Sequence, residues 1–451
     1  MNRAAAIAVL LAALWTTPGA AQAPGTDTDP RLERTWRAYR AGRFDEALAA
    51  ARLASAALPS SGPALLAHGW MAEYLGEFDE AQSVYAKART VASDDPDVLL
   101  RVASFSVRVG EYDDAVALLD RVLAGQPWWI RWAFLHAPTF AQAAVRRGNA
   151  VIERTVQLKL DVLMEKGQLA EARRVAREYR VVQPARDYCG EARQRGATGP
   201  REEIFLAFRL AALAQPDAAD CIWWYGQWLT DEGFVRLGRV MVIEGTRATP
   251  SAANKASGER YLRVRLSNGR EVSKRVEQLA LIGRQRYLRD GDTAGAVRLL
   301  MQASALDQGY PRSYNHLARI AWDEGDRAGA VAWLERGLQA DPASWRTHRN
   351  LGRALALLGR DADAEAHLRK TVELFDDDSG GRLALARVLY ARGKFAEYAR
   401  ETRRALQFAG NWGGRGLEDV SAFLATFERS GPGKSLPPAP DPAILIGWNY
   451  D

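Results

Sequence analysis

Apolar residues recur along much of this chain at intervals of three and four, the spacing that lines one face of an α-helix. Two such runs flank Gly76, with apolar positions at Leu65, Leu66, Trp70 and Met71 before it and at Ala81, Val84, Tyr85 and Ala88 after it. A short polar segment that contains the glycine separates the runs. The pattern therefore predicts a pair of helices joined by a tight turn.

The turn segment is a phrase that the chain repeats. Gly76-Glu77-Phe78-Asp79-Glu80-Ala81 has close copies that begin at Gly42 and Gly110, each 34 residues away, and a looser copy begins at Gly167. Towards the C-terminus the same 34-residue step separates Gly291, Gly325, Gly359 and Gly393. A fixed period of this length is typical of a stacked array of helical hairpins.

Each part of the phrase has a physical role at a turn between helices. The glycine suits the left-handed backbone conformation just past a helix end, where a side chain is penalised. The acidic pair, for example Asp79-Glu80, falls in the first turn of the next helix and interacts favourably with the positive end of its dipole. The alanine five positions after the glycine is small enough to let two helices approach closely.

By period and by residue, the phrase resembles the tetratricopeptide repeat. The family's glycine, aromatic and alanine positions are matched at Gly76, Phe78 and Ala81. Its repeat-closing proline and the alanine of its second helix are matched at Pro59, Pro127, Pro184, Pro342, Ala88, Ala303 and Ala405. The resemblance covers roughly two thirds of the chain. The copies at Gly291 and Gly325 lack the aromatic residue and are placed by their period.

Between residues 185 and 284 the period is lost, and a strand-like pattern follows two helical runs. Phe234–Glu244 is rich in Val, Ile and Phe, and the runs Tyr261–Leu266 and Glu271–Val276 alternate on either side of Asn268-Gly269. Asn-Gly between alternating runs is a strong hairpin signal. We therefore expect a mainly α fold, in which two tetratricopeptide-type solenoid arrays of helical hairpins are separated by a small antiparallel β-hairpin insertion.

These patterns predict five segments: a signal peptide (1–23), an N-terminal array (31–184), a middle region with two helices and the small β-sheet insertion (185–284), a C-terminal array with a capping helix (285–430) and a proline-rich tail (431–451). The signal is indicated by Arg3, the apolar run Ala4–Trp15 and the small residues after it, and the run is too short to span a bilayer. No cysteine follows it for lipid attachment. We expect an exported protein, periplasmic or secreted, that does not span a membrane after the signal is removed.

Charge and cysteine content change this picture only in part. The net charge of +6 is a mild excess that indicates no class of partner. Cys189 and Cys221 are the two cysteines. In an oxidising compartment an even pair favours one disulfide, and two buried thiols are the alternative.

The sequence contains no motif that indicates catalysis. The five histidines lack metal-ligand spacing, and no nucleophile-elbow, phosphate-loop or dinucleotide-binding glycine pattern occurs. We therefore predict no enzyme activity, no cofactor and no metal. A cryptic enzyme in the segment 185–284 is the alternative.

The resemblance implies where a ligand would bind. In tetratricopeptide arrays the first helix of each repeat lines a groove, and fixed positions of that helix meet the ligand. In the second array those positions are arginine-rich and predict a groove for peptides, including acidic segments: Arg312, Asn315, Arg319, Trp322, Arg346, Arg349, Asn350, Arg353, Arg387 and Tyr390. Arginine forks suit carboxylates, although Gly380 and Ala384 stand where basic residues would complete the family's carboxylate clamp. In the first array the same positions are mixed: Leu66, Trp70, Glu73, Leu100, Ser104 and Arg108. The alternative is a solvated basic face whose arginines pair with Asp or Glu.

Tryptophans and a basic strip supply further candidates. Of the 14 tryptophans, three cluster near 128–132 and three near 223–228, and Trp129 and Trp224 are candidates for stacking on a glycan or a peptide. The alternative is that these rings fill gaps where the repeat register breaks. Arg263, Arg265, Arg270, Lys274 and Arg275 form a basic strip on the predicted hairpin, suited to anionic envelope polymers rather than nucleic acid.

Two hypotheses of function follow. The first is an exported, non-enzymatic scaffold for protein–protein interactions in the cell envelope, which binds peptide segments in its grooves. The second is a carbohydrate-binding component of envelope polysaccharide assembly or export, which uses its aromatic clusters.

Overall fold

A computed structural model describes residues 30–127, 132, 136, 149–183, 186–196, 201–231, 234–265, 272–376, 378–409 and 417–438. The signal peptide predicted at 1–23 and the tail beyond Pro438 lie outside the described residues. Throughout the described part the regular secondary structure is α-helical, and none of it is strand.

The helices are numbered here in chain order. The first group is α1 (Pro30–Arg40), α2 (Phe44–Ala57), α3 (Gly62–Leu75), α4 (Phe78–Val91), α5 (Pro96–Val109), α6 (Tyr112–Gly125), α7 (Ala150–Glu165) and α8 (Leu169–Glu178). The middle group is α9 (Tyr188–Gly196), α10 (Arg201–Ala214), α11 (Ala219–Asp231), α12 (Val235–Ala248) and α13 (Ala252–Arg265). The last group is α14 (Lys274–Asp290), α15 (Thr293–Leu306), α16 (Pro311–Asp323), α17 (Arg327–Ala340), α18 (Trp345–Leu357), α19 (Asp361–Leu374), α20 (Ser379–Ala391), α21 (Phe395–Ala409) and α22 (Glu418–Ser430).

The predicted β-hairpin insertion is wrong. The run Phe234–Glu244 falls almost entirely in α12, and Tyr261–Leu266 begins within α13. The buried side chains of α12 include Leu237, Met241 and Val242, at the spacing of one helical face. A short run rich in β-branched residues does not by itself distinguish a strand from a buried helix.

Two backbone contacts pack α12 closely against α11. A Cβ atom at Gly226 in α11 would lie 2.6 Å from the backbone nitrogen of Val242, and one at Gly245 in α12 would lie 2.7 Å from that of Trp223. The two glycines therefore let α11 and α12 pack with their backbones in close approach. Farther along, the Ser273 hydroxyl accepts a hydrogen bond from the Val276 N–H at 3.3 Å and caps α14, so Glu271–Val276 ends in a helix. The predicted Asn268-Gly269 turn lies outside the described residues.

The repeated glycines adopt the backbone conformation that the phrase requires. All of those at 42, 76, 110, 167, 291, 325, 359 and 393 have positive φ. At Gly76, with φ of 81°, the N–H donates to the Glu73 carbonyl at 3.1 Å and the next N–H donates to the Ala72 carbonyl at 2.9 Å. These bonds satisfy carbonyls that the end of α3 would otherwise leave unpaired.

Within a repeat, close helix packing depends on a small residue. A Cβ atom at Gly69 would lie 2.5 Å from the ring of Tyr85, and one at Gly352 would lie 2.6 Å from the side chain of Leu368. The first helix of each of these hairpins therefore receives a large side chain from the second helix against its own backbone.

Contacts divide the chain into two compact units. Unit 1 comprises Met1–Trp228, Arg236–Pro250 and Ser273–Leu299. In it, α1 to α8 form four successive antiparallel pairs, and each pair packs on the next. The core of these pairs includes Leu65, Tyr85 and Leu119.

Unit 2 comprises Leu229–Val235, Ser251–Val272 and Leu300–Asp451. Its hairpins α16–α17, α18–α19 and α20–α21 stack in order, and α22 packs on α21 at the end of the series. Leu334, Leu351, Leu368 and Tyr398 are central members of its core, with Phe423 and Phe427 of α22 packed against it. The last helix thus covers an apolar edge that the series would otherwise expose.

Candidate binding surfaces

The arginine-rich positions predicted in the second array lie on the first helices of three successive hairpins. Helix α18 packs against both α16 and α20, so the three helices form a layer in unit 2. Arg319, Arg353 and Arg387 each stand six residues before the turn glycine of their hairpin. We call these three residues the arginine row.

The predicted groove residues of α16 that precede the arginine row are buried. The Arg312 guanidinium donates a hydrogen bond to the Thr230 carbonyl at 2.7 Å, and the Asn315 amide donates to the Thr347 hydroxyl at 3.1 Å. The neighbouring residues on α18, Arg346, Arg349 and Asn350, are also buried. These side chains therefore lie in the interior of unit 2.

The two arginines of α18 that precede the row stack on one indole ring. The guanidinium carbons of Arg346 and Arg349 lie 4.8 Å and 4.9 Å from the ring centre of Trp345. Arg349 also donates to the Asp378 carboxylate at 3.3 Å, just before α20 begins. The ion pair joins this end of α18 to the start of α20, while the cation–π contacts hold the two guanidinium groups against their own helix.

The arginine row is partly exposed, and its members differ in what they bind. Arg319 donates to the Asp323 carboxylate at 2.7 Å within α16. Arg353 donates to the Gly380 carbonyl at 3.0 Å, which reaches across to α20. Arg387 makes no hydrogen bond or ion pair with any residue that the structure describes.

Arg387 is the unusual member of the row. Burial lowers the pKa of its guanidinium below the usual value, and no carboxylate offsets this effect. A half-buried cation without a counter-charge is costly, because it has lost part of its hydration and gained no partner. An anion bound here would gain a charge-assisted hydrogen bond that the unbound chain lacks.

The aromatic groove candidates of this layer are covered by the chain itself. The guanidinium carbon of Arg327 lies over the ring of Trp322, 4.2 Å from the ring centre. Tyr390 is buried, its ring packs against Phe395 and Phe423, and its hydroxyl donates to the Gly433 carbonyl at 2.9 Å. The start of the tail therefore lies against α20 beside the arginine row.

The corresponding positions of the first array form a buried cluster. Glu73 has no exposed side-chain surface, and its two carboxylate oxygens lie 2.9 Å and 2.6 Å from guanidinium nitrogens of Arg101 and Arg108. Tyr85 donates to the same carboxylate at 3.0 Å. Burial alone would raise the pKa of Glu73, but the two guanidinium charges outweigh it and leave that pKa below the usual value.

The apolar candidates of the first array are likewise in its interior. Leu66, Trp70 and Leu100 are buried, and Ser104 is partly exposed. The positions that the family resemblance assigns to a groove therefore form core in this array.

Sequence reasoning missed a surface in unit 1, where α14 packs along the turns of the first hairpins. The guanidinium of Arg275 donates to Asp79 at 2.9 Å and lies 5.6 Å from the ring centre of Phe78. That of Arg286 lies 5.1 Å from the ring centre of Phe44. The aromatic and acidic residues of the repeated phrase thus hold basic residues of α14. We call this the turn edge.

Two further contacts extend the turn edge. A guanidinium nitrogen of Arg298 in α15 lies 3.5 Å from a carboxylate oxygen of Asp45, and the Tyr74 hydroxyl donates a short hydrogen bond to Asp290 at the end of α14. The sequence shows basic residues at 275, 286 and 298, but nothing in it indicates which residues they contact.

The basic strip predicted on the β-hairpin is partly accounted for by this packing. The Lys274 ammonium is buried and donates to Glu165 at 2.5 Å and to Glu277 at 2.7 Å. Arg275 is bound at the turn edge as described above. Arg263 and Arg265 fall in α13, and Arg270 lies outside the described residues.

Cys189 and Cys221 form a disulfide between α9 and α11, with their Cα atoms 5.8 Å apart. Beside it, the ring of Trp224 is partly exposed, lies 6.4 Å from that of Phe208, and has the guanidinium carbon of Arg193 5.5 Å from its centre. Trp129 lies outside the described residues. Trp132, from the same cluster, is 58% exposed and stacks on His136 with 5.1 Å between ring centres.

Two features are absent from the described part of the chain. No three or more His, Cys, Asp or Glu side chains there are grouped so as to hold a metal ion. None of the helices there is both long enough and apolar enough to cross a membrane.

Comparison with known proteins identifies the repeats. Residues 74–137, 287–344 and 321–380 match the family model described as tetratricopeptide repeat. The chain contains tetratricopeptide repeats. Search of curated proteins finds no significant match.

Three solved structures that resemble this chain are distant from it in sequence. A crystal structure of MamA shares 17% identity, with 40% of this chain and 95% of that chain covered and a TM-score of 0.28. The tetratricopeptide domain of P58(IPK) shares 12%, with 90% and 100% covered and a TM-score of 0.25. Yeast Tom70 shares 13%, with 89% and 94% covered and a TM-score of 0.28. These values are too low to support any inference about function.

The tetratricopeptide repeats support a role as a protein–protein interaction scaffold. Their arrays carry two kinds of surface in this chain. The turn edge of unit 1 is occupied by the chain's own α14, and the layer of first helices in unit 2 carries the arginine row.

Proposed function

We propose that the protein is a non-enzymatic scaffold that binds an acidic peptide segment of a protein partner along α16, α18 and α20 of unit 2. The observation that carries the proposal is the unpaired, half-buried Arg387. Arg353 stands at the same position in the preceding repeat, where its guanidinium donates a hydrogen bond to the neutral Gly380 carbonyl.

The chemistry of the row favours a carboxylate. A planar guanidinium presents parallel donors that match two carboxylate oxygens. A hydrogen bond to a charged group contributes about 1.5–3 kcal/mol when it forms in a partly desolvated site. Because Arg312, Arg346 and Arg349 are already bonded within unit 2, the proposed contact is narrower than the ten-residue groove expected from the sequence.

We further propose that the protein works in the cell envelope after export. The apolar run near the N-terminus and the disulfide support this location, since disulfides persist in oxidising compartments. Protease protection of the protein in intact cells, with cleavage after the outer barrier is opened, is the expected result. Protection that persists after the barrier is opened, together with an uncleaved N-terminus, would contradict export.

The binding proposal is tested with a library of short fluorescent peptides and charge-reversed versions of the same peptides. We expect the wild-type protein to bind the acidic members and not their lysine-containing counterparts. Arg387→Glu should weaken binding tenfold or more, because it replaces the unpaired cation with an anion. Arg387→Lys should retain part of the affinity, since the charge remains without the planar fork.

Arg404 supplies a matched control. It is an exposed arginine on α21, the second helix of its hairpin, and it makes no bond to the described residues. Arg404→Glu changes the net charge by the same amount as Arg387→Glu. Equal weakening by the two variants would reduce the effect to general electrostatics and reject the proposed site.

A second candidate function rests on Trp132. The indole side chain is well exposed to solvent, and exposed aromatic rings stack on sugars as well as on peptides. Binding of an envelope polysaccharide that Trp132→Ala removes, while Arg387→Glu leaves it unchanged, would favour the carbohydrate-binding alternative.

A further inference from the structure

Two histidines of unit 2 face each other within the hairpin α18–α19. The Nδ1 atoms of His348 and His367 are 3.0 Å apart, and both side chains are partly exposed. The rings are separated by 19 positions in the sequence and match no metal-ligand spacing, so sequence analysis gave no reason to pair them.

The geometry points to a binding site for one divalent transition-metal ion of the kind that prefers imidazole, with His348 and His367 as its two protein ligands. Imidazole nitrogens bind Zn²⁺ at about 2.0–2.1 Å. Two such nitrogens lie about 3 Å apart when the angle at the ion is near 90°, as in square-planar or octahedral coordination. The observed separation allows both Nδ1 atoms to bind one ion after a small adjustment.

The second nitrogen of His348 is already engaged in the manner of a metal ligand. Its Nε2 lies 3.1 Å from the carbonyl oxygen of Pro342, which can accept a hydrogen bond from an N–H there. Metal-binding histidines usually donate their other N–H to a carbonyl or carboxylate, which fixes the tautomer and the ring orientation. When the neutral ring donates this hydrogen bond from Nε2, its Nδ1 carries no proton and its lone pair can bind a metal ion.

Charged groups of both signs act on the pair. Burial is the largest influence and lowers the pKa of both rings; beside it, Lys370 acts more strongly than Asp341 on His348, whereas Asp363 and Glu335 act more strongly than Arg360 on His367. The opposing cations are Lys370 near His348 and Arg360 near His367. Each of these is bonded to a carboxylate, Lys370 to Glu373 at 2.7 Å and Arg360 to Asp363 at 2.7 Å. Water molecules would complete the coordination, which makes the site one of moderate affinity.

The alternative is that one imidazole donates a hydrogen bond to the other and that no metal ion binds there. The two cases differ in a direct measurement. Tag-free full-length protein is titrated with Cu²⁺, Zn²⁺ and Ni²⁺ at neutral pH, by calorimetry and by competition with a coloured chelator. For Cu²⁺, the electron paramagnetic resonance spectrum reports the coordinated nitrogens.

We expect one ion per chain and two equatorial imidazole nitrogens in the Cu²⁺ spectrum. His348→Gln and His367→Gln should each raise the Kd by tenfold or more and remove one nitrogen from the spectrum. His136→Gln, which removes a single exposed histidine outside unit 2, should change neither quantity. His367→Gln keeps the His348–Pro342 contact, so it remains informative if the His348 variant folds poorly.

Absence of binding to the wild-type protein at millimolar ion would overturn the inference. Binding that survives the double His348→Gln, His367→Gln change with unaltered stoichiometry would also overturn it, as would an equal effect of the His136 control.

Discussion

Replacing Glu73 with glutamine removes one negative charge from the buried cluster of unit 1 with almost no change in volume. In the native cluster the carboxylate contacts the guanidinium groups of Arg101 and Arg108 and accepts the Tyr85 hydroxyl. Glutamine presents one oxygen and one NH₂ group, so one guanidinium donor would face another donor. The two arginines would keep their charge and lose the Glu73 carboxylate as a counter-charge.

The expected cost follows from burial. The side chains of Glu73, Arg101 and Arg108 are 0%, 15% and 8% exposed, which places the ion pairs among buried rather than surface pairs. Removing one partner of a buried pair costs about 3–5 kcal/mol, because the remaining charge is desolvated and unpaired. We expect Glu73→Gln to lower the free energy of unfolding of the first hairpins by an amount in this range.

The assay is urea unfolding of the full chain, followed by circular dichroism and by hydrogen exchange of α3 to α6. Hydrogen exchange is needed because a chain with two units need not unfold in one step. Glu46→Gln is the matched control. Glu46 pairs with Arg43 at 2.9 Å on the surface, where both side chains are well exposed, so its loss should cost less than about 1 kcal/mol.

The difference between wild type and Glu73→Gln should also depend on pH. The folded pKa of Glu73 is below its usual value, so its charge stabilises the fold above the unfolded pKa of about 4.3. That contribution is lost as the pH falls through the folded pKa. The two proteins should therefore converge in acid. Equal costs for the Glu73 and Glu46 variants at neutral pH would refute the reasoning.

Three further predictions concern packing, the disulfide and the turn edge. Gly69→Ala should cost about 1–3 kcal/mol in the free energy of unfolding, because its Cβ would overlap the Tyr85 ring; Gly62→Ala in the same helix, which makes ordinary contacts, should be tolerated. Replacing both cysteines with serine should cost about 2–4 kcal/mol by urea unfolding and abolish the effect of reductant. Arg275→Glu should speed hydrogen exchange in α14, and adding Asp79→Arg should restore it; no rescue in the double variant would exclude the ion pair as the cause.

The helical hairpins and their turns could be predicted because their signals are local. A glycine at a fixed period reports a backbone conformation, and each turn glycine named from the sequence has the positive φ expected of it. The spacing of apolar residues gives the helical face that is buried. These features depend on few neighbours, so the sequence contains most of the information.

The β-hairpin prediction failed because its signal was short. Six alternating residues at Tyr261–Leu266 and a run rich in Val and Ile at Phe234–Glu244 fit a strand as well as a helix segment. The deciding contacts are between distant residues, since Gly226 and Gly245 bring α11 and α12 together. Nothing in the local pattern reports that meeting.

The binding residues were only partly accessible to prediction. The repeat register places Arg349 and Arg387 on the first helices of successive hairpins. It does not show that Arg349 bonds to Asp378, whereas Arg387 bonds to none of the described residues. Depth of burial and the identity of partners come from tertiary packing. The His348–His367 pair shows the same limit, because its members lie on different helices.

The turn edge has a consequence for how the first array can evolve. Arrays of this type usually gain or lose a repeat at little cost, because each repeat contacts only its neighbours. Here α14 is 17 residues long, about 25 Å, and together with Arg298 it contacts side chains from the turns of successive hairpins at Asp45 and Asp79. An inserted or deleted repeat would shift those partners out of reach. These contacts therefore fix the spacing of the first two turns and select against a repeat inserted or deleted between them.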